Sequence, residues 1–211
     1  MRILFFGDSI TQGFWAADAG WVELIRRHYD QKALQDLQNR HEPAVFNMGV
    51  SGDTTDDLLA RIEGETKARI WQNDPIVVVI AIGTNDDVFE SFNPQASAES
   101  YRANLQAIID KVTPLAQEVV LLGSTACDEK LTNPVFWDDV SYTNRELEHA
   151  EKVIQDVASN NDLAFIPLFA DFKAALDAGE DLLADGLHPN DAGHAFIAAK
   201  VLPALIAVLA K

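Results

Sequence analysis

The segment 76–82, Ile-Val-Val-Val-Ile-Ala-Ile, constrains the fold of this chain more than any other because it is apolar at every position. A strand with one solvated face alternates apolar and polar residues, whereas a strand covered on both faces is apolar throughout. Pro75 precedes the segment and Gly83 follows it, which is typical of a strand bounded by turns. The segment therefore predicts the central strand of a parallel sheet with helices on both sides.

Strand-like and helix-like patterns alternate along the rest of the chain. Short apolar segments predict four further strands, at 2–6, 44–47, 119–122 and 164–167. Apolar residues at helical spacing, Leu34 and Ile70 among them, predict helices over about 20–38, from Thr55 to about 70, and over about 97–115, 142–159, 171–178 and 190–209. Such alternation is typical of an α/β fold. We expect a single domain over 1–211, built as a three-layer α/β/α sandwich around a five-stranded parallel sheet with the flavodoxin-like order 2-1-3-4-5.

The charge and the cysteine content limit the partners. Acidic residues outnumber basic ones by 33 to 16, which gives a formal charge of -17 at pH 7. Nucleic acids and anionic lipid surfaces require a basic patch, so we expect neither as a main partner. The single cysteine, Cys127, excludes an intramolecular disulfide and a cysteine-based metal cage. We predict no metal and no cofactor, and the sequence leaves the oligomeric state open.

The sequence carries no obvious membrane or export signal. No stretch approaches the roughly 20 apolar residues of a membrane span. The apolar run at 3–6 is too short for the core of a signal peptide. We expect a cytoplasmic protein, with a trimmed secreted precursor as the open alternative.

Polar turns follow three of the predicted strands. Ser9 follows the first strand, Gly52 the second and Asn85 the third, while Asp185 and His188 precede the final helix. In an open parallel sheet, ligands bind beyond the carboxyl ends of the strands, at the point where the strand order reverses. Ser9 and Asn85 should flank that crevice, since it lies between strands one and three.

These residue types are the components of acyl transfer by a serine. Such a reaction needs a nucleophile, a base, a group that orients the base, and donors for the oxyanion. His188 is the natural base for Ser9 because imidazole titrates near neutrality. Asp185 lies three residues earlier in the same turn, near enough to hold one imidazole nitrogen. The candidate oxyanion donors are the backbone N–H groups of Ser9 and Gly52 and the side-chain amide of Asn85.

Four motifs that contain these residues resemble those of the GDSL-type esterases and lipases, also called the SGNH hydrolase superfamily. They occur in order at 7–11 (Gly-Asp-Ser-Ile-Thr), 47–54, 83–86 (Gly-Thr-Asn-Asp) and 185–189 (Asp-Gly-Leu-His-Pro). Ile10 replaces the leucine of the family name, a conservative change. The resemblance implies the SGNH hydrolase fold, a serine hydrolase acting on small esters or thioesters, and Gly52 as the oxyanion glycine.

Two other functions stay open at this point. The same site could pass its acyl group to an alcohol as an acyltransferase, or the sheet could form a non-catalytic, flavodoxin-like binding module. The binding-module interpretation assigns no role to Asp185 and His188. Three aromatic residues in loops, Trp15, Phe136 and Trp137, are candidates to line a substrate pocket, although loop aromatics also pack as local cores.

Overall fold

A single parallel sheet of five strands organises the protein. The computed structural model describes residues 1–38, 41–86 and 94–210. The strands are β1 (Arg2–Gly7), β2 (Ala44–Gly49), β3 (Ile76–Ala81), β4 (Glu118–Leu122) and β5 (Ala164–Ile166). They pair in the order β2-β1-β3-β4-β5, and all the pairs are parallel. The predicted fold class and strand order are confirmed.

Helices connect the strands and cover both faces of the sheet. They are α1 (Ser9–Gln12), α2 (Trp21–Gln35), α3 (Thr55–Lys67), α4 (Pro94–Val112), α5 (Glu129–Thr132), α6 (Asn144–Asn160), α7 (Phe169–Asp177) and α8 (Asp191–Leu209). Alternate residues of β1 face opposite layers, as expected for a strand. Ile3 and Phe5 pack in the core with α2, α7 and α8, whereas Leu4 and Phe6 pack in the core with α3, α4 and α6.

Two residues expected on apolar helix faces are exposed instead. Leu34 is inside α2 but 68% exposed, because nine residues at about 100° each place it opposite Ile25 on the helix. Ile70 is 47% exposed because α3 ends at Lys67, before the apolar pattern does. The predictions of α2 and α3 were therefore right in existence and too long at their carboxyl ends.

The last helix, α8, contradicts the expectation that no segment is long and apolar enough to span a membrane. By length and composition alone, α8 is apolar enough to cross a membrane, with a mean hydropathy of 1.8 over its apolar window. The expectation that no stretch approaches a span was wrong for this segment. In the structure, Ile197, Val201 and Leu205 of α8 are buried in the core on one face of the sheet. The apolar composition of α8 thus contributes to the packing of the domain.

Candidate active site

Ser9 lies on a one-turn helix directly after β1. The Oδ1 atom of Asp8 accepts a hydrogen bond from the Ile10 N–H at 2.9 Å and so caps α1. A side chain at position 7 would clash, since a Cβ there would lie 2.2 Å from the Ala81 carbonyl oxygen of the neighbouring strand. Burial raises the pKa of Asp8 to about 6, although its hydrogen bond from Ile10 acts in the opposite direction. The capping bond fixes the turn on which Ser9 lies.

His188 and Asp185 come to Ser9 from the turn before α8. Ser9 Oγ lies 3.0 Å from His188 Nε2, and His188 Nδ1 lies 2.8 Å from Asp185 Oδ2. The backbone N–H groups of Leu187 and His188 donate to Asp185 Oδ1 at 3.0 and 2.8 Å. Burial acts to raise the pKa of Asp185, but these hydrogen bonds outweigh it and hold the pKa below its usual value. Asp185 is therefore an ionised acceptor for the imidazole.

The loop that carries Gly52 is tied to α1. Asn47 Nδ2 donates to the Thr11 carbonyl at 2.9 Å, and the Ser51 N–H donates to Gln12 Oε1 at 2.8 Å. Gly52 has a φ of 84°, in the left-handed region that favours glycine. Within the described ranges, no group accepts a hydrogen bond from the N–H of Ser9 or Gly52. Both donors are thus available to a ligand.

Asn85 follows β3 and joins the same site. Its Nδ2 donates to the Asp53 carbonyl at 3.0 Å, and its Oδ1 accepts a hydrogen bond from the Tyr142 hydroxyl at 3.3 Å. Asp53 is held in turn by the Arg61 guanidinium at 2.7 Å. These contacts fix the orientation of the amide, and no described residue accepts a hydrogen bond from the second N–H of Nδ2. Sequence reasoning missed Tyr142, which lies beyond the irregular segment that follows β4.

The geometry agrees with a family assignment. The model of the GDSL-like Lipase/Acylhydrolase family matches residues 5–196, which is most of the chain. The chain belongs to this family. The family consists of lipases and acylhydrolases, and the relatives are named as esterases. This protein is therefore a hydrolase that acts on ester bonds.

Two relatives of this GDSL hydrolase match it over most of their length. An acetylxylan esterase from Geobacillus stearothermophilus is 26% identical over 93% of this chain and 90% of its own. An arylesterase from Vibrio mimicus is 24% identical over 97% of this chain and 88% of its own.

Solved structures show the same fold. The acetyl xylan esterase AlAXEase is 27% identical, with a TM-score of 0.72 over 97% of this chain and 99% of that one. A G-D-S-L lipolytic protein from Veillonella parvula has a TM-score of 0.72 at 21% identity, over 96% and 97% of the two chains, which supports the fold alone.

An open, aromatic cleft of about 400 Å³ surrounds Ser9 in this GDSL hydrolase. All three predicted pocket aromatics border it, together with Phe14, which sequence reasoning missed. The rings of Phe14 and Trp137 have centroids 5.2 and 5.8 Å from the His188 ring. Phe136 is 81% exposed and stands edge-on to Trp137. The cleft thus has aromatic rings packed close to His188 and an apolar rim.

Two further side chains with reactive groups, those of His194 and Cys127, lie outside this cleft. Burial lowers the pKa of His194, and the ring accepts from the Trp21 N–H and donates to the Phe14 carbonyl as a neutral tautomer. Burial raises the pKa of the Cys127 thiol to about 11, which suppresses the reactive thiolate. Among the described residues, no group of three or more histidine, cysteine or acidic side chains is placed to hold a metal ion.

Proposed function

We propose that this GDSL hydrolase cleaves short-chain carboxylic esters in two steps through an acyl intermediate on Ser9. The observation that carries the proposal is the continuous chain of hydrogen bonds from Ser9 through His188 to Asp185, with distances of 3.0 and 2.8 Å. Nucleophile, base and orienting group within hydrogen-bond reach are the arrangement that activates a serine.

The first step forms the acyl-enzyme. As Ser9 Oγ attacks the carbonyl carbon, its proton passes to His188 Nε2, and Asp185 stabilises the imidazolium that results. When the tetrahedral intermediate collapses, His188 gives that proton to the leaving alcohol. In the second step His188 takes a proton from water as the water oxygen adds to the acyl carbon. When this second tetrahedral intermediate collapses, His188 gives the proton to Ser9 Oγ, so that the acid is released and the serine hydroxyl is restored.

Three donors are assigned to the oxyanion of both tetrahedral intermediates: the N–H groups of Ser9 and Gly52 and the Nδ2 amide of Asn85. The two backbone donors make no hydrogen bond within the part of the chain that the structure describes. Asn85 is held by Asp53 on its amide nitrogen and by Tyr142 on its oxygen. Donors fixed before the reaction stabilise developing charge without reorganisation, which favours this role.

The Asn85→Ala variant should lower kcat by about 10²–10³-fold, because it removes one preorganised oxyanion donor. Tyr142→Phe keeps the amide and removes only the hydrogen bond that orients it, so its decrease in kcat should be smaller. Steady-state hydrolysis of p-nitrophenyl acetate measures both, with circular dichroism as the check on folding. An effect of Asn85→Ala on KM alone would contradict the oxyanion role.

The short acyl preference rests on the rings beside the base. Phe14 and Trp137 both approach the His188 ring and, together with it, border the space beside Ser9. The exposed Phe136 extends the apolar surface outward, where a planar or ring-shaped alcohol part could stack. Relatives named acetylxylan esterase and arylesterase fit a small acyl group on a ring-bearing alcohol.

A series of p-nitrophenyl esters of rising acyl length tests this preference. We expect kcat/KM to be highest for acetyl and propionyl esters and to fall with longer chains. Trp137→Ala should raise the activity on longer chains relative to acetate, because it widens the cleft beside His188. Ser9→Ala, assayed across the same series, gives the background. Activity that increases steadily toward long chains in the unmodified protein would overturn the short acyl assignment.

A further inference from the structure

Trp15 contacts the carboxylate that orients the base. Its indole Nε1–H donates to Asp185 Oδ2 at 2.7 Å, and the same oxygen accepts the bond from His188 Nδ1 at 2.8 Å. The other oxygen, Oδ1, accepts the N–H groups of Leu187 and His188. Among the described residues, Asp185 therefore receives four hydrogen bonds, and of these only the one from Trp15 originates outside its own turn.

The backbone around Trp15 is held for this contact. Trp15 has a φ of 64°, a left-handed conformation that is uncommon for residues other than glycine. On one side, the Phe14 N–H donates to the Ser9 carbonyl at 2.9 Å. On the other side, the Ala17 N–H donates to Asp191 Oδ1, at the start of α8, at 2.8 Å. The loop thus joins the nucleophile turn to the helix that follows His188.

We propose that Trp15 is a positioning residue for the reaction, acting through Asp185 on His188. Its N–H holds Oδ2 toward the imidazole and partly neutralises the negative charge that this oxygen presents to Nδ1. The role rests on the proposed function, in which His188 is the base for Ser9. It assigns to Trp15 a second contact beyond the substrate-pocket wall predicted from the sequence.

The positioning role and the wall role need different parts of the side chain. A wall requires the ring, which is 55% exposed at the edge of the cleft. Positioning requires the Nε1–H, which phenylalanine lacks. Trp15→Phe therefore keeps an aromatic surface and removes the donor, so that the two roles predict different kinetics.

For Trp15→Phe we expect kcat to fall about 5- to 10-fold, the effect of losing one hydrogen bond to a charged group at an exposed site, with KM little changed. With one donor fewer, Asp185 presents more negative charge to Nδ1, and the His188 ring keeps its proton to higher pH. Because attack by Ser9 needs the unprotonated ring, the acidic limb of kcat/KM should move upward by roughly 0.5–1 pH unit.

Other titratable groups that act on His188 are unchanged in this variant. Asp8 is buried next to Ser9, and His194 is buried on α8 as a neutral ring. Neither contacts the Trp15 indole nitrogen. A shift of the acidic limb in Trp15→Phe is therefore attributable to Asp185.

A second measurement does not depend on turnover. NMR of histidine-labelled protein follows the titration of the His188 ring in the resting protein, with and without Trp15→Phe. The ring should titrate at higher pH in the variant. Trp71→Phe is the matched control, since Trp71 is 58% exposed beside Arg2 at the opposite end of β1, and it should change neither kcat nor the titration.

The outcomes separate this inference from the function on which it rests. If Ser9→Ala is inactive while Trp15→Phe keeps both its kcat and the His188 titration, the positioning role is wrong and the proposed function stands. A Trp15→Phe variant altered in KM alone would likewise assign Trp15 to the cleft wall only. If Ser9→Ala stays active, the proposed function fails, and the NMR titration still decides whether Trp15 acts on the Asp185–His188 pair.

Discussion

Ser9→Ala is expected to lower kcat on p-nitrophenyl acetate by about 10⁵–10⁶-fold, the largest effect of any substitution proposed for this protein. Alanine removes the only group that forms the acyl intermediate in the proposed reaction. His188 then has no hydroxyl to activate, and its bond to Ser9 Oγ at 3.0 Å is lost. The oxyanion donors stay in place, so a residual rate above that of water is expected.

Covalent labelling tests the same assignment without an ester assay. A fluorophosphonate probe reacts with an activated serine, so it should label the unmodified protein and spare Ser9→Ala. Ser51→Ala is the matched control, because Ser51 borders the same cleft on the neighbouring loop and, within the described ranges, only its backbone N–H makes a hydrogen bond, to Gln12. It should be labelled like the unmodified protein. Equal labelling of Ser9→Ala and the unmodified protein would exclude Ser9 as the nucleophile.

The sequence alone predicted which turns meet, because a parallel sheet brings the carboxyl ends of its strands to one edge. The strand register shows this, since Gly7 of β1 lies beside Gly49 of β2 and Ala81 of β3. Residues that follow those three positions then share one end of the sheet. The positions of Ser9, Gly52 and Asn85 follow from the strand ends, which the apolar pattern marks, and from the strand order, which is a common one for doubly wound folds.

The groups that orient the site were not predictable in this way. Trp15 reaches Asp185 across 170 positions of sequence, and Tyr142 reaches Asn85 across 57. Both contacts depend on the conformation of irregular loops, where no periodicity marks which side chain faces inward. The left-handed backbone at Trp15 is one such feature, because propensity argues against it for any residue other than glycine.

Asp185→Asn is expected to lower kcat by about 10⁴-fold while the protein still folds. Asp185 is the acceptor in all four of these hydrogen bonds. An asparagine has one acceptor oxygen, and its NH₂ group can only donate. If the NH₂ faces Leu187 and His188, it meets two backbone N–H groups that cannot move their protons. The NH₂ group of the asparagine should therefore take the position of Oδ2, where the imidazole can respond by changing tautomer.

That change of tautomer is the cause of the expected loss. With an NH₂ group beside it, His188 Nδ1 must become the acceptor, and the proton moves to Nε2. The ring then donates to Ser9 Oγ instead of accepting from it and cannot act as the base. Activity should recover partly above the pH at which hydroxide attack competes, and the pH profile of kcat measures this. A loss of less than tenfold across the profile would argue against the orienting role of Asp185.

Trp15 gives this prediction a second, independent readout. In Asp185→Asn the indole N–H also faces the new NH₂ group, an unpaired contact that should destabilise the fold by about 1–3 kcal/mol. Adding Trp15→Phe removes one of the two opposed donors, so the double variant should unfold at a higher temperature than Asp185→Asn alone. In the unmodified background, Trp15→Phe removes a favourable bond and should lower the unfolding temperature instead. This reversal of sign, measured by thermal unfolding of the four proteins of a double-mutant cycle, is expected only if Trp15 and Asp185 interact directly. Additive effects would mean that the contact at 2.7 Å contributes nothing to the energy of the site.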